Sequence, residues 1–169
     1  DVIVWDDFLF LGTCFSEDYR NYKTARTNEY AIEILKEYFP KKRIIDLDLK
    51  KNDKVPYQGV LHLDCTFNPI GKDKCIIYKD GFVDESDYQL IIDIFGEENC
   101  FHITPEEMFE MNPNIFSISP EVVVSDETFT RMNDFLRNEW GFTVEEIPYR
   151  EISKMGGLLR CSTMPLVRE

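Results

Sequence analysis

A histidine and an aspartate two residues apart, His62-Leu63-Asp64, and a cysteine ninety-nine residues beyond the histidine, Cys161, are the side chains of this sequence best equipped for chemistry. A thiol can attack an electron-poor carbon, an imidazole can carry the proton, and a carboxylate can hold a cationic substrate beside both. The combination points to covalent cysteine chemistry. Val60-Leu61-His62-Leu63-Asp64-Cys65 alternates, which predicts a strand from Val60 to Phe67 with His62 and Asp64 on one face and Leu61, Leu63 and Cys65 on the other. Such a polar pair on the wet face of a strand needs no function by itself. The chain has only two histidines, however, and His62 is bracketed by apolar residues, which favours a pocket. A lone cysteine is ordinarily a small buried hydrophobe. Around Cys161, Gly156-Gly157 permits close backbone approach, Arg160 and Ser162 are polar, and Pro165 ends regular pairing, as expected of a functional loop. His102, in Phe101-His102-Ile103, reads as a strand histidine. An iron site from His62, Asp64 and His102 would belong to an all-β scaffold, which the helices predicted next argue against.

Three segments carry the period of an amphipathic helix. Ala31, Ile34, Leu35 and Tyr38 line the first, Tyr88, Ile91, Ile92 and Phe95 the second, and Phe129, Met132, Leu136 and Trp140 the third, with stops at Pro40, Gly96 and Gly141. A shorter helix is predicted at Thr104-Pro105-Glu106-Glu107, a capping box with proline in the first turn. Two strand-like runs precede each long helix and one follows it. The order is a ββαβ unit repeated three times at roughly fifty-residue intervals, as in modules that share one core. Lys50 to Lys54 reads as a charged connection and Phe67 to Lys74 as a glycine-containing turn.

The 169 residues suit one globular domain, 43% apolar and 14% aromatic. With 19 basic against 32 acidic residues, the net charge of −13 disfavours nucleic acid and anionic membranes and favours a small cationic ligand. No apolar run reaches the roughly 20 residues of a membrane span. Five cysteines without pairing rhythm or CxxC spacing suit a reducing compartment, the cytoplasm being the simplest, and exclude an ordinary zinc module. Neither a metal nor a cofactor is expected. Asp1 leads at once into the strand-like Val2-Ile3-Val4-Trp5, so the chain reads as part of something longer.

Leu61-His62-Leu63-Asp64 through Pro69-Ile70-Gly71, Ala25-Arg26-Thr27-Asn28, Ser117-Ile118-Ser119-Pro120, and Gly156-Gly157 through Leu166 together resemble the guanidino-group-modifying enzymes. These are the arginine deiminases, dimethylarginine dimethylaminohydrolases and amidinotransferases. The resemblance implies a pentein, an α/β propeller of five ββαβ units, with about three of the five in this chain. Residues 1–169 would be the C-terminal portion of one catalytic domain. It implies Cys161 as nucleophile, His62 as acid and base, Asp64 as the guanidinium clamp and Arg26 as partner of a substrate α-carboxylate; Asp1 and Gly157 are further candidates. The acid that orients the histidine would fall three places before Asp1. The chain is then either a C-terminal piece whose missing portion lies elsewhere or a truncated form that cannot work alone. The segment Thr13 to Thr24 is longer than the family's usual passage and would cap the site. Asp64 and the Cys161 motif look deiminase-like, whereas the interval from His62 to Cys161 is closer to the shorter dimethylaminohydrolases and amidinotransferases. A linear-amidine hydrolase is preferred, with amidino transfer to an amine and a non-catalytic binding module as alternatives. The expected partners are a cationic guanidino amino acid, the N-terminal part of the same domain and a second copy of the chain.

Overall fold

The computed structural model describes residues 1–17 and 19–164. It is a mixed α/β fold whose described residues form three small sheets with one order of elements. The first sheet takes β1 (Val2–Trp5) and β2 (Phe8–Thr13), passes through helix α1 (Glu29–Tyr38), and ends on β3 (Arg43–Asp48). The second takes β4 (Phe67–Ile70), β5 (Lys74–Ile77), helix α2 (Glu85–Phe95) and β6 (Cys100–His102). After the short helix α3 (Pro105–Phe109), the third takes β7 (Phe116–Ser117), β8 (Val122–Asp126), helix α4 (Thr130–Asn138) and β9 (Thr143–Ile147). In each sheet the first two strands are antiparallel and the last two parallel, because the hairpin turn is short and the helix supplies the crossover that parallel pairing needs. Helix α5 (Arg150–Ser153) leads to the C-terminal turn.

Aromatic seams join the sheets. Phe10 of β2 meets Phe67 of β4 edge-on at 5.0 Å, and Trp5 lies 4.5 Å from Phe95 of α2. Phe101 of β6 packs 4.8 Å from Phe135 of α4. Phe10 and Phe67 are fully buried, and truncating such a ring costs about 3–5 kcal/mol. The seams therefore fix how the modules sit together, and with them the loops that carry the polar residues. Gly71, at φ +61°, makes the β4–β5 turn at a place where a Cβ would fall 2.7 Å from the Phe142 ring, so one glycine serves both conformation and packing.

The α2 and α4 faces are buried as the periodicity predicts, and α3 forms both halves of its capping box, with Glu107 further held by Arg131. Two expectations need correction. The buried side of α1 is Ile32, flanked by half-buried Ala31 and Leu35, while Ile34 and Tyr38 face outward. This helix packs on a narrow sheet that cannot cover its whole apolar surface. Val60 to Cys65 is not strand. Lys51 Nζ donates to the carbonyls of Val60 and Leu61 at 3.1 and 2.9 Å, the Val60 amide goes to Lys50 O, and Cys65 N closes a tight turn onto His62 O. Those backbone groups are thus taken before a strand partner could use them. The ladder begins at Thr66, and Phe67 to Ile70, expected as turn, is β4.

Candidate active site

His62 stands in extended conformation at the head of a single 3₁₀ turn, Leu63–Cys65. Leu63 and Cys65 are buried and act as pegs in the core, so His62 and Asp64 still share the opposite side although the strand is absent. The Cys161 turn is built similarly. Leu158 and Leu159 are buried, and Ser162 and Thr163 hydroxyls donate back to their carbonyls at 2.7 and 2.9 Å, which tightens the chain like the end of a helix. Gly156 enters at φ +88°, and a Cβ on Gly157 would lie 2.9 Å from Cys161 Cβ, so a side chain there would push the turn aside. Pro165 and Leu166 of this motif lie outside the described residues.

These two turns bring the trio together: a ring nitrogen of His62, a carboxylate oxygen of Asp64 and Cys161 Sγ lie within 4.8 Å of one another. The Cys161 thiol is 3.5 Å from Asp64 Oδ2. Cys161 is exposed as a residue, but partial desolvation of its sulfur, then the Asp64 charge, raises the thiol above its ordinary value, while a hydrogen bond from Asn114 acts against them. His62 is buried, its Nε2 makes no hydrogen bond among the described residues, and burial followed by the Arg26 charge lowers its pKa to about 4. At neutral pH the resting pair is therefore an uncharged imidazole and a protonated thiol. Arg26 is exposed but near enough for its charge to act on both His62 and Lys51. Asp1 packs across Gly12, where a Cβ would come within 2.8 Å of Leu63 and 3.2 Å of Asp1, so the start of β1 abuts the His62 turn. His102 is on β6 beside Glu97, 3.0 Å away, and is not part of the cluster. Lys23 and Thr24, at the end of the long loop, hydrogen-bond to Asp53.

The His62 shift has a sign that can be checked. Its folded pKa lies below the ordinary 6.5, so the unfolded chain takes the proton more readily. The stability this represents is present above pH 6.5 and falls as pH drops toward 4. Urea titrations at pH 7.5 and 5 should show His62→Gln losing less stability on acidification than the parent, by on the order of 2 kcal/mol; equal losses would mean that His62 is not held neutral.

Two residues at the site were not anticipated. Lys51, in the charged connection, ties down the carbonyls ahead of His62, and burial brings its pKa down to about 8. Asn114, fully buried, lies between the two turns and touches both. The exposed-looking composition of Lys50 to Lys54 hid the first, and no motif or spacing in the sequence marks the second.

The family model for arginine deiminase matches residues 81–168. Over 169 residues the chain is 29% identical to the uncharacterized protein YkgA of Bacillus subtilis (strain 168), covering 99% of this chain and 51% of that protein. A stretch of 67 residues, 40% of this chain and 16% of the other, is 39% identical to the arginine deiminase of Latilactobacillus sakei subsp. sakei (strain 23K). Among solved structures, the N-terminal domain of ArgZ, an arginine dihydrolase from the ornithine–ammonia cycle in cyanobacteria, superposes with a TM-score of 0.79 at 19% identity, over 99% of this chain and 55% of that one. SxtG, an amidinotransferase from Microseira wollei in the saxitoxin biosynthetic pathway, gives 0.74 at 17% identity, over 100% and 47%. The chain thus spans about half the length of YkgA and of the ArgZ domain.

Proposed function

The chain belongs to the arginine deiminase family, and on that premise we propose that it hydrolyses the guanidino or ureido carbon of arginine or a modified arginine through a covalent adduct on Cys161, a thiouronium where that carbon is a guanidine's. The observation that carries this reading is the thiol facing a carboxylate at 3.5 Å with an imidazole beside both. Asp64 can take two parallel N–H bonds from a planar guanidinium and so set its carbon against Sγ. The bound cation offsets the Asp64 charge, which lets the thiol proton pass to His62. Sγ then bonds to the central carbon, and His62 hands the proton to the departing ammonia or amine. Water, deprotonated by His62, adds to the thiouronium, the C–S bond breaks, and the ureido product leaves with the thiol restored. Arg26 is the proposed partner of the substrate carboxylate, which favours an amino acid over a decarboxylated amine.

Amidino transfer is the second reading, favoured by the likeness to SxtG over the whole chain; only the nucleophile that resolves the thiouronium differs. The repeated order of strands and helix supports a pentein propeller shared with an N-terminal part of the same domain. The protein incubated with arginine or methylated arginines, with and without an amine acceptor, should release ammonia or the methylated amine and form a ureido product that does not depend on the acceptor, whereas citrulline, already ureido, should give ammonia and ornithine. Acceptor-dependent amidino transfer would replace hydrolysis as the reading, and no turnover of any of these would leave only a binding module.

A further inference from the structure

Asn114 is the one side chain among the described residues that hydrogen-bonds to Cys161 Sγ, to the Cys161 backbone and toward the His62–Asp64 turn at once. Its Oδ1 accepts from Leu158 N at 3.1 Å and from Cys161 N at 3.2 Å. Two N–H donors facing one amide atom fix which end is oxygen, so the NH₂ end must face the other way. There Nδ2 stands 3.1 Å from Cys161 Sγ and 3.5 Å from Asp64 O. The Asn114 backbone is engaged as well, its carbonyl accepting from Arg160 N and its N–H donating to Met111 O. The side chain is fully buried, where an amide without partners would be costly, and it cannot turn over without opposing donor to donor.

We propose that Asn114 is a catalytic residue of this site, its amide N–H donating to the Cys161 thiolate while its amide oxygen holds the turn that presents it. This rests on Cys161 being the nucleophile. The need is plain from the geometry: Asp64, required to bind a cation, stands 3.5 Å from the sulfur and opposes its ionisation, and a rigid neutral donor offsets that without competing for the substrate's charge. A hydrogen bond to an ionised group is also the strong kind.

The test is the pH dependence of Cys161 alkylation by iodoacetamide, followed by mass spectrometry of the Cys161 peptide. Asn114→Ala and Asn114→Asp should both move the midpoint upward by about one unit or more, slowing alkylation at pH 8 by roughly tenfold. A role in holding the turn alone would change the rate by the same factor at every pH, and an unmoved midpoint in Asn114→Ala overturns the proposal. Should both variants fail to fold, the parent protein still decides: the Asn114 side-chain amide protons, followed by NMR, should shift with the midpoint of Cys161 ionisation, and a fixed resonance sinks the idea. Iodoacetamide needs no substrate, so a protein with this Asn114 dependence that turns over no guanidino compound would refute the proposed function and leave this inference standing.

Discussion

Cys161→Ala should lower guanidino turnover by on the order of 10⁴-fold or more, because removing the nucleophile of a covalent mechanism removes the pathway rather than weakening a step. The fold should persist. Cys161 is exposed, its neighbours Leu158 and Leu159 supply the anchoring, and the Oδ1 half of Asn114 still has its two backbone donors. Losing the Sγ acceptor leaves the buried Asn114 amide N–H with only its 3.5 Å contact to Asp64 O, so stability should fall by about 1–3 kcal/mol. Product formation and thermal melting measured on one preparation check both halves. More than roughly one per cent residual turnover would remove Cys161 from the role of nucleophile, since leftover binding and proton transfer cannot sustain that rate without it.

Asp64→Asn is expected to act in opposite directions on two reactions of the same sulfur. Turnover of a cationic guanidino substrate should fall by about 30- to 4,000-fold, the range for losing one partner of a desolvated charge pair, about 2–5 kcal/mol. Alkylation of Cys161 by neutral iodoacetamide should become faster at pH 7 to 8, because the Asp64 charge is one of the causes that raise the thiol. A general loosening of the site would move both rates the same way. Parallel loss of both would mean that Asp64 serves the structure of the turn rather than the substrate's charge.

The trio was legible because the signals for it are local and scarce. Two histidines in the chain, a polar pair two residues apart and a glycine pair before a cysteine are visible without coordinates. Sidedness survived the wrong assignment of the His62 segment for a physical reason: burial of Leu63 and Cys65 sets which way the others point, whether the backbone is extended or curled. What the alternation could not reveal is that an ammonium group nine and ten residues earlier, Lys51 of a charged connection, takes the carbonyls of Val60 and Leu61. Asn114 was illegible for the converse reason, since its side-chain partners lie in two turns, each more than forty residues away in the sequence. The α1 face was misjudged because periodicity reports how much apolar surface a helix has, not how much neighbouring structure is wide enough to cover it.

The contact between Asp64 and Cys161 spans ninety-seven residues, whereas the parallel pairing of Phe8 with Arg43 closes a loop of about a third of that. Closure entropy grows only as a logarithm of length, so the longer loop costs about 0.9 kcal/mol more. What separates the two events is order rather than expense. A strand pair can form within its own module, but the thiol meets its carboxylate only after the modules have docked through their aromatic seams. The juxtaposition of thiol and carboxylate is thus a property of the finished assembly, and a chain halfway through folding lacks it.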